Sequence, residues 1–390
     1  MGSNITVGVL RERSPGEGRV ALVPETVARL AADGARVLVE PGAGASAWFA
    51  DADYAAAGAV LAPADELLDR VDALLCVEPP EAATTAALRP GRLLIGLLDV
   101  LARPAAAAAW AEQGLTAVGL DLLPRTLSRA QSMDALTSQA NIAGYKAVLV
   151  AADSFRRFLP MLTTAAGTSK PAAVLVLGAG VAGLQAIATA RRLGAVVTGY
   201  DVRPESRAEV ESLGARFLDI PAVPEVSGRD GYARRLAEAE QLAQQRGLAE
   251  GVARADIVVT TARVPGGRPP LLVTAAAVER MRPGSVLVDL AAGPSGGNVE
   301  LSEPEATVVT AGGVTVIGAG RLPSAMATAA STAYARNATA LLAHLLRDGT
   351  PTVDLADEIQ AAVVVTHSGS VVHPAVAELL DARARLGGTR

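Results

Sequence analysis

Cysteine, histidine, lysine and aromatic residues are scarce in this sequence, and the shortages exclude several classes of protein. Cys76 is the only cysteine among 390 residues, which excludes a disulfide framework and favours a reducing compartment. The three histidines, His344, His367 and His373, are scattered along the chain, so we predict neither a metal cluster nor a Ser/His/Asp triad. The formal net charge is −5. We therefore expect no basic face for nucleic acid or anionic lipid.

The length and the apolar segments of the chain predict a soluble protein of two domains. A chain of 390 residues is too long for one ordinary core. Its start has neither the basic nor the apolar region of a signal peptide. The uncharged span Pro171–Ala190 is nearly long enough to cross a bilayer, but its glycines divide it into a strand, a turn and a helix. We expect a cytoplasmic location.

Short apolar runs alternate with helical patterns along most of the chain. The runs predict strands at Thr6–Leu10, Ala35–Glu40, Val71–Val77, Leu93–Leu97, Leu115–Gly119, Ala172–Leu177, Val196–Tyr200, Asp256–Thr260, Ser285–Leu290 and Val314–Ile317. The helical patterns include Pro24–Asp33, Thr137–Phe158, Val181–Leu193 and Ser324–Leu346, and Pro160–Pro171 is rich in turn residues. Strands separated by helices indicate parallel sheets with right-handed crossovers.

The predicted fold class is α/β, with two doubly wound parallel-sheet domains. The second is a Rossmann dinucleotide-binding domain inserted into the first. We place the discontinuous first domain at residues 1–136 plus 322–390, and the Rossmann domain at residues 137–321.

The glycine-rich segment Gly178–Gly183 matches the dinucleotide-binding pattern. Gly178 permits the tight turn, Gly180 lets a pyrophosphate approach the backbone, and Gly183 lets the following helix pack close to the strand. Three spaced glycines are a weak signal alone, but this segment directly follows an apolar run and directly precedes a helix. The context predicts a nucleotide site.

Asp201 lies at the end of the next predicted strand, eighteen residues after Gly183. A carboxylate there accepts hydrogen bonds from the ribose hydroxyls of the adenosine and repels a 2′-phosphate. Arg203, two residues further on, acts in the opposite direction. Because Asp201 is at the strand end itself, we predict NAD in preference to NADP.

The polar segment Pro124–Asp134 separates two apolar segments and has two interpretations. It is a typical start of a helix, with Ser132 or Asp134 as the N-cap and Thr137 in the first turn. The second interpretation is a functional loop. Residue types alone favour the helix cap.

Arg125–Asp134 and the following Ala135–Tyr145 resemble the signature loop and helix of proton-translocating NAD(P) transhydrogenase, in its soluble NAD(H)-binding alpha subunit. The resemblance extends over nearly the whole chain. It continues at Arg11–Glu12, Arg19–Val27, the glycine loop, Asp201–Arg203, Gly231–Ala233, Thr260–Ala262, Pro283–Ala291, Gly296–Asn298 and Val372–Pro374.

The resemblance implies roles for individual residues. Arg125, Gln131 and Asp134 would hold the nicotinamide ring, and Tyr232 would close over the nucleotide from a mobile loop. The resemblance implies cofactor contacts at Thr126, Leu127, Ser132, Met133, Thr137, Gly178, Ala179, Gly180, Val181, Gly183, Asp201, Val202, Arg203, Gly231, Gln244 and Arg263. The chain departs from the family pattern at Asp219–Asp230, which is shorter than usual, and at Arg263, where an aliphatic residue is expected.

The resemblance also implies an activity and partners. The chain would bind NAD(H) and transfer hydride between NADH and NADP⁺ held by a partner subunit. Membrane subunits would couple this step to proton translocation and hold the chain at the inner (cytoplasmic) membrane. A homodimer is implied. The chemistry agrees, since hydride transfer needs two rings at near contact rather than an acid or base.

Two alternatives stay open at this point. Alanine dehydrogenase shares the two-domain architecture and the Arg19–Ala21 segment, but it needs a lysine and a histidine that correspond here to Val77 and Asp99. Without a general acid or base near pH 7, amino acid oxidation has no evident catalyst. A non-catalytic NAD(H)-binding subunit is the other alternative, and it leaves the polar loop unexplained beyond capping.

Overall fold

A computed structural model describes residues 5–221, 223, 236–264 and 267–387. The chain divides into two compact units. The first unit comprises Met1–Gln139 and Met326–Arg390, and the second comprises Ala140–Ala325.

The first unit is built on a parallel sheet. Its strands are β1 (Thr6–Val9), β2 (Arg36–Val39), β3 (Val60–Leu61), β4 (Ala73–Leu75), β5 (Leu93–Gly96) and β6 (Thr116–Gly119). They are ordered β3-β2-β1-β4-β5-β6, which is the strand order of a doubly wound Rossmann sheet. Successive residues such as Val37 and Leu38 belong to two different core clusters. Apolar side chains therefore cover both faces of the sheet, as parallel strands require.

Helices connect these strands. They are α1 (Pro24–Ala32), α2 (Asp51–Ala56), α3 (Ala64–Arg70), α4 (Ala82–Ala86) and α5 (Pro104–Glu112). Helix α1 shows the local reasons for such bounds. Proline is favoured in its first turn, where a backbone N–H has no helical partner. Gly34 follows the helix with φ of 90°, a conformation that ends helices and that glycine adopts without strain.

A long helix, α6 (Ala135–Ser154), begins in the first unit and continues into the second. The second unit contains β7 (Leu162–Thr164), β8 (Gly167–Ser169), β9 (Ala173–Leu177), β10 (Val196–Tyr200), β11 (Arg216–Phe217), β12 (Ile257–Thr260), β13 (Val286–Asp289), β14 (Thr307–Val309) and β15 (Thr315–Gly318). Its helices are α7 (Val181–Arg192), α8 (Ser206–Ser212), α9 (Glu238–Arg254) and α10 (Ala275–Glu279).

The main sheet of the second unit is ordered β11-β10-β9-β12-β13-β15-β14. Its strands are parallel except at the edge, where β14 runs antiparallel to β15. The strand order through β13 again matches the doubly wound Rossmann pattern. The predicted fold class is confirmed.

The chain returns to the first unit with α11 (Ala327–Leu345), a hairpin of β16 (Leu346–Arg347) and β17 (Thr350–Pro351), α12 (Glu358–Val363), a hairpin of β18 (Thr366–His367) and β19 (Ser370–Val371), and α13 (Pro374–Gly387). Helix α11 buries Tyr334, Leu341 and Leu342 in one of the two cores of that unit. Of the helices in the described part of the chain, none has both the length and the apolar character that a bilayer requires.

Several segments differ from the sequence-based expectation, among them the short strands β3, β11 and β14, which the sequence did not predict. The stretch predicted only as turn-rich contains the β7–β8 hairpin, whose short strands are largely exposed and therefore show no apolar alternation. The predicted loop 124–134 contains a 3₁₀ helix at Ser128–Met133. Short 3₁₀ turns have no hydrophobic period that a sequence would reveal.

Candidate functional site

The glycine loop between β9 and α7 has the backbone that the sequence predicted. Gly178 has φ of 97°, and the carbonyl oxygen of Gly178 accepts a 2.9 Å hydrogen bond from the Thr261 hydroxyl. A Cβ at Gly178 would lie 2.6 Å from that hydroxyl oxygen. Conformation and packing both require glycine here.

The other two glycines of the loop have different surroundings. A Cβ on Gly183 would lie 1.8 Å from the Gly178 carbonyl oxygen, so only glycine lets α7 start this close to β9. Apart from Gly180 itself and its two chain neighbours, no described residue has an atom within 4 Å of a Cβ built on Gly180. The backbone is therefore open at Gly180, just before the first residue of α7, Val181. An open loop at a helix N-terminus fits a pyrophosphate.

Asp201 follows β10 and is hydrogen-bonded to this loop. Its Oδ2 accepts a 2.7 Å bond from the Ala179 amide. The same carboxylate accepts the backbone N–H of Arg203 and two bonds from the Arg203 guanidinium, at 3.0 Å and 3.1 Å. Asp201 therefore connects the strand end to the glycine loop, and Arg203 forms a salt bridge to it.

Three further residues of the second unit that were predicted to contact the nucleotide have different surroundings. Val202 is half-buried beside one of its cores. Gln244 of α9 is only 4% exposed, and its amide donates a 3.2 Å hydrogen bond to the Tyr200 hydroxyl. In this structure the side chain of Gln244 is therefore part of the buried interior of the second unit. Arg263 is exposed and donates to the Leu290 carbonyl oxygen. Gly231 and Tyr232 lie outside the described residues.

Asn298 is a supporting residue to which the sequence reasoning gave no role. Its side-chain oxygen accepts a 3.0 Å bond from the Ala262 amide, and its nitrogen donates 2.9 Å to the Ala262 carbonyl oxygen. These bonds fix the segment after β12 whose Thr261 supports Gly178. The Gly-Gly-Asn triplet was the available signal, since asparagine commonly hydrogen-bonds backbone in turns.

The polar loop of the first unit is packed on one side and open on the other. Ala130 and Met133 are buried in a core of this unit, Leu127 is half-buried, and Thr126, Gln131 and Ser132 are exposed. The 3₁₀ helix thus uses apolar residues as anchors and presents its polar residues outward.

Asp134 caps α6. Its Oδ1 accepts the Thr137 amide at 2.8 Å, and its Oδ2 accepts the Thr137 hydroxyl at 2.6 Å. Arg125 approaches the same two residues, with its Nη2 donating to the Thr137 hydroxyl at 3.3 Å and its Nε 3.7 Å from Asp134 Oδ2. Asp134 is therefore the N-cap of the two candidates, and Arg125, Asp134 and Thr137 form one cluster.

Three side-chain hydrogen bonds connect the loop to the C-terminal segments of the first unit. The side-chain amide of Asn337 on α11 donates a 2.8 Å bond to the Ser132 carbonyl oxygen. Arg129 donates to Asp357 at 2.9 Å and to Glu358 at 3.3 Å. Burial acts to raise the pKa of Asp357, but hydrogen bonds from His344 and a backbone amide and the nearby positive charges bring it down to about 2. Asp357 is thus a charged partner for Arg129. Gln131 lies between Arg129 and Ser132, the two loop residues that these hydrogen bonds hold.

The positions where a dehydrogenase of amino acids would need a lysine and a histidine hold no equivalent group. Val77 is fully buried in a core of the first unit, and its amide donates a 2.6 Å bond to Glu12 Oε1. The side chain of Asp99 is 62% exposed, and its carboxylate lies 3.9 Å from the guanidinium of Arg103.

Burial raises the pKa of Glu12 to about 7. The nearby charges of Glu17 and Glu78 raise it as well, whereas hydrogen bonds from the backbone amides of Val77 and Glu78 lower it.

The doubly wound sheets and the glycine loop define a Rossmann-type α/β protein. Two family models match the chain, "Alanine dehydrogenase/PNT, N-terminal domain" over residues 8–143 and "Alanine dehydrogenase/PNT, C-terminal domain" over residues 147–374. The chain belongs to the alanine dehydrogenase/PNT family.

Within the family, the similarity to transhydrogenase is extensive. The chain is 42% identical over 380 residues to an NAD(P) transhydrogenase subunit alpha polypeptide of Rhodospirillum rubrum, covering 95% of this chain and 98% of that polypeptide. The structure of transhydrogenase from Sinorhizobium meliloti superposes with a TM-score of 0.84 at 41% identity, covering 94% of this chain and 100% of that one. Alanine dehydrogenase of Mycobacterium tuberculosis is 34% identical over 303 residues, covering 76% of this chain and 75% of that protein. The predicted resemblance to the transhydrogenase alpha subunit is confirmed.

Proposed function

We propose that this chain is the NAD(H)-binding alpha subunit of an NAD(P) transhydrogenase. The observation that carries the proposal is the length of the match to the Rhodospirillum rubrum polypeptide, which covers 98% of that polypeptide at 42% identity. In this proposal the chain binds NADH and passes a hydride to NADP⁺ held by a partner.

The second unit would bind the pyrophosphate and the adenosine. The open backbone at Gly180, with α7 starting at Val181, supports the first assignment. Asp201 at the end of β10 supports the second, since a carboxylate at this position accepts bonds from ribose hydroxyls. Ala179, Gly178, Gly183 and Val202 would complete these contacts.

The polar loop would position the nicotinamide. Gln131 offers an exposed amide for the carboxamide group, while Arg125, Asp134 and Thr137 form a hydrogen-bonded cluster at the start of α6. Bound NADH supplies the hydride, and the chain supplies position and exclusion of water. None of these residues has to accept a proton. Thr126, Leu127, Ser132 and Met133 would shape the same site, with Gly231 and Tyr232 as its proposed closing segment and Arg263 as a further contact.

The proposal implies partners. An NADP(H)-binding domain on another polypeptide would accept the hydride, and membrane subunits would couple the transfer to proton translocation and hold the chain at the inner (cytoplasmic) membrane. We also propose a homodimer. Phe158 and Met161 support it as apolar side chains that are 62% and 64% exposed beside the β7–β8 hairpin. Light scattering on the purified chain measures the assembly directly.

Alanine dehydrogenase activity is the second candidate, because the chain is 34% identical to such an enzyme over 303 residues. The buried Val77 and the exposed Asp99 argue against this activity.

Titration of the purified chain with NADH and with NADPH, followed by nucleotide fluorescence, tests whether the chain binds NAD(H) as proposed. NADH should bind much more tightly than NADPH, and equal affinity would contradict the role of Asp201.

A further inference from the structure

The first turn of α7 has close backbone contacts on two sides. On one side is the glycine loop, since a Cβ on Gly183 would lie 1.8 Å from the carbonyl oxygen of Gly178. On the other side is α6, in the part of that helix that belongs to the second unit. A Cβ on Gly144 of α6 would lie 2.0 Å from the carbonyl oxygen of Ala182 and 2.8 Å from its carbonyl carbon. Only glycine therefore lets α6 approach α7 this closely.

The carbonyl that Gly144 contacts belongs to the same peptide group as the amide of Gly183. In an α-helix the carbonyl of such a group points toward the C-terminus and its amide toward the N-terminus. Gly183 is the third residue of α7, and the first four amides of a helix have no partner within it. Because the peptide group is planar and stiff, a push on the Ala182 carbonyl also moves the Gly183 amide.

Further contacts join the same two helices on either side of Gly144. One turn before it, Nδ2 of Asn141 donates a 3.2 Å hydrogen bond to Oε1 of Gln185 on α7. One turn after it, Ala147 is fully buried in the same core as Ala186 of α7. Alanine forms helices better than glycine does, so the helix alone does not favour glycine inside α6. The close contact with Ala182 does.

We propose that Gly144 is a positioning residue for the pyrophosphate of the nucleotide. The inference rests on the proposed function, in which the open N-terminus of α7 receives the pyrophosphate. Gly144 does not touch the nucleotide. It lets α6 contact the Ala182–Gly183 peptide group on the side opposite its amide, and this contact fixes where the first amides of α7 lie. Hydrogen bonds to phosphate oxygens depend steeply on distance and angle, so a small displacement of these amides weakens binding.

Gly144→Ala tests the proposal by adding one methyl group, which the Ala182 carbonyl can accommodate only if the first turn of α7 shifts. NADH and ADP both contain a pyrophosphate, and we expect the affinity for each to fall by about tenfold, the effect of losing one hydrogen bond to a charged group. The affinity for adenosine, which has no phosphate, should stay within about twofold. Fluorescence titration measures NADH binding, and displacement of bound NADH measures ADP and adenosine.

Gly247→Ala is the matched control. Gly247 lies inside α9 of the same unit, and a Cβ there would lie 2.3 Å from Cγ2 of Ile220. The added methyl group is equally crowded, but it meets a flexible side chain instead of the backbone of α7. All three affinities should stay within about twofold of the unmodified chain. Phosphorus NMR of bound NADH adds a second readout, because the pyrophosphate resonances should shift in Gly144→Ala and not in Gly247→Ala.

An unchanged ADP affinity in Gly144→Ala would overturn the proposal. Equal losses for ADP and adenosine, or the same selective loss in Gly247→Ala, would overturn it as well, because either pattern belongs to a general loss of structure. Failure of the proposed function gives a separate result, since the unmodified chain would then bind neither NADH nor ADP.

If Gly144→Ala does not fold, Asn141→Ala takes its place. This variant removes the hydrogen bond to Gln185 without adding bulk between the helices. It should lower the affinity for ADP about threefold and leave the affinity for adenosine unchanged. The absence of a selective loss for ADP would then contradict the proposal.

Discussion

Asp134 accepts two hydrogen bonds from Thr137, from its amide at 2.8 Å and from its hydroxyl at 2.6 Å. This is helix capping, the simpler interpretation of the polar loop. Arg125 nevertheless reaches the same hydroxyl at 3.3 Å and lies 3.7 Å from the same carboxylate. Capping and ring positioning therefore use one cluster, and substitutions must separate the two roles.

Asp134→Asn separates them, because asparagine caps helices about as well as aspartate but has no charge for Arg125. We expect hydride transfer to fall while the free energy of unfolding changes by less than about 0.5 kcal/mol. Asp134→Ala should lose both the helix cap and rapid hydride transfer, and the lost cap should lower the free energy of unfolding by about 1 kcal/mol. Denaturant unfolding and transfer rates on the same preparations make the comparison. A transfer rate unchanged in Asp134→Asn would leave Asp134 as a cap only.

Gln131→Asn shortens the exposed side chain by one methylene, while the neighbouring Arg129 and Ser132 still hold the loop in place. Arg125→Ala removes the cation beside Thr137. Both should slow hydride transfer by at least ~10²-fold while weakening NADH binding far less, because a small displacement of the ring raises the barrier with little loss of ground-state contact.

The matched control for these two variants is Ser128→Ala, an exposed position on the same 3₁₀ helix. It should transfer hydride at nearly the unmodified rate. Equal losses of binding and transfer in Gln131→Asn would mean that the residue contributes uniform binding rather than ring position.

The pH dependence of stability should carry a contribution from Glu12. Its pKa rises from 4.5 to about 7 on folding, mainly through burial, so the folded chain holds this proton more tightly than the unfolded chain. The associated stability is present below about pH 4.5 and is lost as the pH rises through 7. The loss is on the order of 3 kcal/mol. Asp121, whose pKa burial raises to about 6, acts in the same direction.

Glu12→Gln should flatten this dependence without abolishing it. Denaturant unfolding at pH 5 and pH 8 measures the difference for the unmodified chain, for Glu12→Gln and for Glu81→Gln. Glu81 is an exposed glutamate that lines a cavity together with Glu12, and its substitution should leave the slope unchanged. Parallel pH profiles for all three proteins would show that Glu12 is charged in the folded state.

L-Alanine should not be oxidised by this chain in the presence of NAD⁺. The reason is local: Val77 offers no proton-transfer group, and Asp99 is exposed and faces Arg103. A steady-state assay with an alanine dehydrogenase as positive control decides the matter. Sustained turnover would reverse the order of the two proposed functions.

The alternation of apolar runs and helical patterns was sufficient to predict the central strands of both sheets, but not the short edge strands β3, β11 and β14. Ala173–Leu177 and Val196–Tyr200, for example, are strands as predicted, since buried parallel strands are nearly continuous apolar runs. The start of α6 was predicted two residues late. Asp134, not Ser132, supplies the cap, and residue types alone do not distinguish two good capping residues so close together before Thr137.

The candidate site was less accessible to sequence reasoning than the fold. The sequence predicted that Asp201 lies at the end of a strand, which it does, but its hydrogen bonds with Arg203 depend on the turn that follows β10. Gln244 was predicted to bind cofactor, and it lies on the same buried side of α9 as Leu248 and Val252. The spacing of four residues between these three was available in the sequence and indicated a buried face.

Hydride transfer in a reconstituted mixture is the decisive test of the proposed function. NADH carrying deuterium at the transferred position is mixed with NADP⁺, the purified chain and the isolated NADP(H)-binding component of a transhydrogenase, without any membrane. Mass spectrometry of the NADPH formed reports the transfer, and the Rhodospirillum rubrum polypeptide serves as positive control. We expect rapid appearance of deuterium in NADPH only when both proteins are present. If this chain binds NADH but transfers no deuterium under conditions where the control polypeptide does, it is a binding subunit and not a transhydrogenase component.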